Sequence, residues 1–150
     1  MLSIDTNIIF PASQTAAPWH DRARGWLESL SGRSDVTLSE LMLAEVYGLL
    51  RNPAIQPRPL SAPAAAGIIE GYRRHPRWRV VGFPTEGRRM HDAIWKKAAE
   101  PGLAFRRIYD LRLAFSLLHQ GVEEFATINV KDFQGLGFRR VWNPLAEKSP

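Results

Sequence analysis

The sequence predicts an α/β fold with a mainly parallel central sheet, and three observations carry the prediction. The chain opens on a short apolar strand, Met1 to Ile4. Helical and strand-like patterns then alternate along it, which is the signature of layered βα units. Its 150 residues, 45% of them hydrophobic, suffice for one well-buried core and not for two, so residues 1–150 are expected to form a single domain. Internal repeats and low-complexity tracts are absent.

After the opening strand, residues 18–30 read as a helix, because Pro18 suits a first turn and Trp19, Ala23, Trp26, Leu27 and Leu30 recur at helical spacing. Val36-Thr37-Leu38 reads as a strand. Ser39 is the expected N-cap of a helix over 39–50 that Asn52-Pro53 ends, and the proline-rich stretch 53–59 is a connecting loop. Ser61 with Pro63 starts a helix over 61–72. Residues 79–83 have strand character, and Pro84-Thr85 lead into a helix to residue 99 that Pro101-Gly102 stop. A helix over 109–120 follows, with Gly121 as its stop, then a strand over 125–130 and an edge strand over 139–142 before Asn143-Pro144. The expected order is β-α-β-α-α-β-α-α-β-β.

Composition narrows the function. Without cysteine, disulfides and thiolate zinc sites are excluded, and an intracellular location fits. Asp5 interrupts the N-terminus before a signal-peptide-length apolar stretch, and no later run approaches the roughly 18 residues of a membrane span. The expectation is a soluble, cytoplasmic protein with no membrane partner. Lysine and arginine total 20 against 15 acids, a net charge of +5 carried mainly by arginine, whose planar fork suits phosphate. A polyanion is a compatible partner, as is a merely solvated basic surface.

The informative residues are acids in unexpected places. Asp5 stands at the C-terminal end of the first strand, where open α/β sheets bind ligands, although Asp5-Thr6-Asn7 also reads as a turn or cap. Glu45 interrupts an apolar helical stripe of Leu38, Leu41, Met42 and Leu49. Buried unpaired it would cost several kcal/mol, so a cation is expected to face it. Glu40, five residues earlier, lies about 140° around the helix and reads as a solvated first-turn acid. Asp110 lies in line with Leu113, Ala114, Leu117 and Leu118; it also reads as a cap, or as a partner of Arg106, Arg107 or Arg112. The late strand delivers Thr127, Asn129 and Asp132 to the edge where Asp5 emerges, with Asp132 alternatively capping a turn.

Unit charges about 4 Å apart repel by roughly 1–4 kcal/mol at effective dielectrics of 80 to 20, so converging acids require a cation. Oxygen ligands without cysteine point to Mg2+ or Mn2+. His20, His75, His91 and His119 lack metal-type spacing and read as surface or boundary residues. Phosphate-binding glycine loops and the Gly-x-Ser-x-Gly elbow are missing, which removes most support for nucleotide-dependent and triad chemistry. A Mg2+-dependent phosphatase of the haloacid type wants Asp-x-Asp, and Asp5-Thr6-Asn7 lacks it. A catalytically inert, basic RNA-binding or interaction module is the rival from another class.

Four segments, in order and spacing, resemble PIN-domain ribonucleases, and more narrowly the VapC-type toxins of type II toxin–antitoxin systems. They are Ile4-Asp5-Thr6-Asn7, residues 39–47 with Leu50-Arg51-Asn52-Pro53, Tyr109-Asp110-Leu111-Arg112-Leu113-Ala114, and residues 126–133. The resemblance implies a PIN-like three-layer α/β/α fold and a Mg2+- or Mn2+-dependent endoribonuclease whose Asp5, Glu45 and Asp110 hold one or two ions. Thr6 and Thr127 match hydroxyls lining that site. Where the family often carries an acid this chain has Asn129, and Asp132 matches a second acidic position, so either completes the site. Asp5 and Asp110 are the direct ligands on this reading, and Glu45 orients the attacking water or takes its proton. With Asp5, Glu45, Asp110 and Asp132 set aside, 11 of the 15 acids face 20 basic residues, a balance suited to holding RNA around an acidic centre. The resemblance also implies a homodimer and a VapB-type antitoxin that occludes the site. A groove between the early helices, with Trp19, Trp26 and Tyr47 in its lining, is the expected seat, although the same aromatics also read as core.

Overall fold

The computed structural model describes residues 1–146; the remaining residues of the single-domain expectation, 147–150, lie outside the described residues. Five short strands form: β1 (Leu2–Ile4), β2 (Thr37–Ser39), β3 (Arg79–Val81), β4 (Glu124–Ala126) and β5 (Arg140–Trp142). Every pairing among them is parallel: β1 with β4, β4 with β5, and β2 with β3. A parallel bridge between Leu2 and Val36, backed by a 2.9 Å bond from the Leu2 N–H to the Asp35 carbonyl, joins the two groups. The order is therefore β3-β2-β1-β4-β5. The chain steps outward from β1 to β3, then returns to lay β4 on the other side of β1. The crevice beyond the C-terminal ends of β1 and β4 is thus the topological switch point, where sheets of this kind bind ligands.

Helices α1 (Thr6–Ser13) and α2 (His20–Ser29) connect β1 to β2, α3 (Glu40–Arg51) and α4 (Ala62–Arg73) connect β2 to β3, and α5 (Gly87–Ala98) and α6 (Arg107–Leu118) connect β3 to β4. A single turn, α7 (Val130–Phe133), precedes β5. Successive strand residues point to opposite faces. Accordingly Leu2, Ile4 and Ala126 join a core with α1 to α4, while Phe125 packs with Ala114, Leu117 and Phe133. Met90, Ile94 and Leu111 fasten α5 to α6. The expected caps are in place: Ser39 Oγ accepts from the Leu41 N–H and Ser61 Oγ from the Ala64 N–H. Gly121 ends α6 at φ 82°, a conformation that side chains rarely adopt. Among the described residues no helix is long and apolar enough to cross a membrane.

Three expectations need correction. Helix α1 was absent from the expected order, and it forms although Pro11 lies inside it. Proline in a helix interior costs about 3 kcal/mol. Here Ile8 and Ile9 are wholly buried, each such burial contributing roughly 1.5–3 kcal/mol, and Pro11 and Ala12 are buried with them. Tertiary packing outweighs the local penalty. Helix α2 begins at His20 rather than residue 18, because Trp19 adopts a left-handed conformation at φ 64°. The late strand stops at Ala126, and residues 130–133 turn into α7 instead of extending the sheet.

Candidate active site

Asp5 follows β1 and is the N-cap of α1, its carbonyl accepting from the Ile8 and Ile9 N–H groups. Its carboxylate does not cap the helix. Instead Oδ2 accepts a 2.6 Å bond from Thr127 Oγ1, just beyond β4, across the switch point. The Thr127 hydroxyl also accepts from Asn7 Nδ2 at 3.1 Å and from the Asn129 N–H at 3.0 Å. A hydroxyl offers one donor and two lone pairs, so this one is fully used. Asn7 Oδ1 in turn accepts from the Ile128 N–H. The ends of β1 and β4 are locked together by this net, and Asp5 is aimed by it.

Glu45 reaches the same region from α3, its Oε2 accepting a 2.8 Å bond from Thr6 Oγ1. Asp110, in the first turn of α6, pairs with Arg107 at 2.9 Å. Arg107 lies 3.3 Å from the Asp132 carboxylate and also donates to the Asp132 carbonyl. Asp5, Thr6, Asn7, Glu45, Asp110, Arg112 and Asn129 line one cavity of about 380 Å³, with Tyr109 at its lip and Leu41, Met42, Leu49, Leu113 and Phe133 as apolar wall.

The electrostatics mark Asp5 out. It is 7% exposed. Burial pushes its carboxyl up from 3.8 to about 6; the Thr127 hydroxyl opposes this, the Glu45 charge adds to it, the Thr6 N–H opposes it, and the Asp110 charge adds again. Asp110 is also raised, chiefly by burial, with Arg107 opposing and Asp132 adding. Among the described residues no three His, Asp or Glu side chains stand close enough to grip one ion as they lie. The donor set is nonetheless all oxygen, it surrounds one cavity, and among the described residues Asp5 makes no ion pair. Those features fit a hard divalent cation.

No model of a known protein family matches the chain. It is 46% identical over 145 residues to Ribonuclease VapC24 of Mycobacterium tuberculosis, spanning 97% of both proteins. The chain belongs to the VapC family of ribonucleases. Solved VapC structures share its fold: Mycobacterium tuberculosis VapC20, a toxin that cleaves the sarcin–ricin loop, superposes with a TM-score of 0.67 at 16% identity, covering 92% of this chain and 96% of that one. VapBC2 of Rickettsia felis, solved on a fragment of promoter DNA, gives a TM-score of 0.67 at 17% identity over 95% and 97%. The α/β, PIN-like architecture expected from the sequence is the one found.

Within this VapC frame several residues stand where the sequence did not put them. Glu45 is exposed, not buried: the covered side of α3 is Met42, Leu43, Val46 and Leu50, and Glu45 sits at its margin. Its hydrogen-bond partner is the Thr6 hydroxyl. Asp132 rides on α7 outside the cavity lining, while Asn129 lines it. A groove does open between the early helices, but Trp19, Trp26 and Tyr47 do not line it. Trp19 lies near Ile128 and Asn143, Trp26 packs against the core, and Tyr47 borders a shallow site between α3 and α4. The large apolar groove among α1, α2 and α4 is instead lined by Leu27, Ile68, Tyr72 and Trp78. Asn7 and Tyr109 were missed as site residues, because their roles depend on which loops meet across the sheet. The histidines are boundary residues: His20 contacts the Pro11 carbonyl and His75 stacks on Trp78.

Glu40, by contrast, pairs with Arg73 of α4 at 2.9 Å, away from the cavity. Glu45→Gln is therefore expected to reduce RNA cleavage by at least about tenfold, a typical general-base contribution being 10²–10⁴. Glu40→Gln should change it by less than about twofold, since an exposed ion pair contributes roughly 0–1 kcal/mol to stability alone. Initial rates for the two variants under identical Mg2+ check this, and equal losses would remove Glu45 from the site.

Proposed function

We propose that this VapC-family chain is a toxin endoribonuclease that hydrolyses RNA phosphodiester bonds with Mg2+ or Mn2+, as a single domain in the cytoplasm. On this reading it forms a homodimer and is silenced by a cognate VapB-type antitoxin. The observation that carries the proposal is the meeting of Asp5, Glu45 and Asp110, from three distant parts of the chain, around one cavity at the switch point. Asp5 and Asp110 would hold the ion. When bound, a divalent ion polarises the phosphodiester and eases loss of a proton from water.

The chain's own groups divide the remaining work. Thr127 and Asn7 hold Asp5 in place, and the saturated Thr127 hydroxyl acts by positioning rather than ligation. Thr6 occupies one oxygen of Glu45 and leaves the other to orient water and take its proton. Asn129 supplies an amide at the cavity wall, and Asp132 acts through Arg107 on Asp110. The structural neighbours FitAB and VapBC2 of Rickettsia felis, both two-component assemblies by name, support the antitoxin partner.

Incubating the purified chain with RNA under increasing Mg2+ or Mn2+, with and without a chelator, tests the activity. Cleavage that chelation abolishes is expected; RNA binding without cleavage at high protein would leave the inert-module reading standing. The same assay separates the last two residues. Asp132→Asn should leave the Mg2+ requirement within about threefold, because the group acts through an arginine. Asn129→Asp should lower that requirement, since a hard cation gains more from a carboxylate than from an amide. A sharply raised requirement in Asp132→Asn would make Asp132 a ligand.

A further inference from the structure

Arg112, on α6, is a cation in the wall of the acid cavity that pairs with none of its acids. It lines the cavity of about 380 Å³ together with Asp5, Glu45 and Asp110. Among the described residues it makes no hydrogen bond or ion pair, and its Nε is buried without a partner. Asp110, two residues earlier, is taken by Arg107 at 2.9 Å, Glu45 holds Thr6 and Asp5 holds Thr127. A guanidinium presents five donors, and a buried donor left unused is uncommon enough to need a reason. What Arg112 does touch is a ring: its guanidinium carbon lies 5.0 Å from the ring centre of Phe83. The loop that carries Phe83 is tied to the residue just beyond α6 by a 3.0 Å bond from Gln120 Nε2 to the Gly82 carbonyl. Phe83 is itself 56% exposed, so burial of the ring does not account for its place.

The carboxylates of this cavity call for a cation, and the guanidinium beside them calls for an anion. The anion that ribonuclease chemistry brings here is the phosphodiester itself, two of whose oxygens match the planar fork of an arginine. We infer that Arg112 is a further catalytic residue, donating to the non-bridging oxygens of the phosphodiester being cut, and that Phe83 is its positioning residue. The inference rests on the reading of Asp5, Glu45 and Asp110 as the cleavage site. Arg112 forms and breaks no covalent bond. As water attacks phosphorus and the leaving oxygen departs, negative charge grows on the oxygens that Arg112 holds, and fixed donors aimed at growing charge lower the barrier. An internal counter-ion for the acids, the other role open to a cation here, would be paired with one of them, and Arg112 is not.

The test measures kcat and KM of the full chain at saturating Mg2+ on one RNA that the unmodified chain cuts. Arg112→Ala should lower kcat by about 10²–10³, the usual loss for one donor aimed at growing charge, with a much smaller change in KM. Arg112→Lys keeps the charge but not the fork and should not restore the rate. Guanidinium chloride at a non-denaturing concentration should restore part of the rate of Arg112→Ala, and potassium chloride at equal ionic strength should not. Phe83→Ala should cost roughly two- to fivefold in kcat, the range for an exposed cation–ring contact, and Phe83→Trp should retain the parent rate. If the alanine variant at 112 does not fold, Arg112→Gln, which keeps most of the stem, takes its place with the same expectation. An unchanged kcat in a folded variant would overturn the inference. So would an unchanged kcat with a lowered Mg2+ requirement, which would make Arg112 a competitor of the ion, or a loss that follows a lowered melting temperature and does not respond to guanidinium, which would make it a structural residue. Asp5→Asn is assayed beside these variants: full cleavage by it refutes the site reading and the inference with it, whereas its inactivity alongside full activity of Arg112→Ala refutes the inference alone.

Discussion

Asp5→Asn is expected to make the metal-free protein more stable at pH 7 while removing its RNA cleavage. Unfolded, the carboxyl titrates near 3.8; folded, burial has pushed it to about 6. Below 3.8 the group is neutral in both states and contributes nothing. Between 3.8 and about 6 the folded protein holds a proton that the unfolded chain has released, so stability falls as pH rises through that window. Above it the full cost of the buried charge stands, about 3 kcal/mol. Asparagine has nearly the same volume, still accepts from Thr127, and carries no charge. Its melting temperature at pH 7 should therefore exceed that of the wild type by roughly 5–10 °C, with a flatter stability profile between pH 4 and 6. Cleavage should drop by more than the roughly 10- to 100-fold typical of losing a partner outside the ligand shell. Mg2+ should stabilise the wild type and not the variant, because a cation that binds the native state raises its stability by mass action. Thermal melts across pH, with and without Mg2+, check all of this. A variant less stable than wild type at pH 7 would mean that Asp5 is not held there at a cost.

Thr127→Val should be the most destabilising change at the site. The valine keeps the shape but strips a donor from Asp5 and an acceptor from both Asn7 and the Asn129 N–H, all in a buried setting. Leaving a charged acceptor and two donors unsatisfied costs roughly 3–5 kcal/mol. Because the Thr127 hydroxyl is the largest influence holding the Asp5 carboxyl down, its loss should move that carboxyl higher still, and with it the acidic limb of the cleavage profile. Thr127→Ser restores the hydroxyl and should restore both properties. Urea denaturation and a pH–rate profile read the two effects independently. A valine variant with lowered stability but an unmoved acidic limb would make Thr127 a purely structural clasp.

Much of this site was legible because local rules and tertiary packing agree. Ser39 and Ser61 cap their helices as their positions require. Asp5 could be placed because a carboxylate after the first apolar strand of a parallel sheet has few places to go except the ligand edge. Arg107 was among the cations named for Asp110, and it is the one that pairs.

Elsewhere the sequence pattern pointed away from the outcome. Helix α1 was not anticipated: it contains Pro11, and its existence depends on burying Ile8 and Ile9 against the rest of the fold. Glu45 falls on the right helix but at the margin of its covered stripe, a rotation that periodicity alone does not resolve. Asp132 was read at a strand end because the chain's turn at Ala126 into α7 leaves no mark in its apolar pattern. The Thr127 net was illegible for a plainer reason: its members lie 120 residues apart, and only the pairing of β1 with β4 brings them together.

The central claim is that Asp5, Glu45 and Asp110 act together around a divalent ion to cut RNA, and the rate of RNA cleavage as a function of Mg2+ concentration tests it most directly. For the unmodified chain, a saturable dependence that a chelator abolishes is expected. Asp5→Asn and Asp110→Asn, both folded, should show no cleavage at Mg2+ levels that saturate the parent. Cleavage independent of Mg2+, or the same curve for either variant as for the parent, would contradict the account.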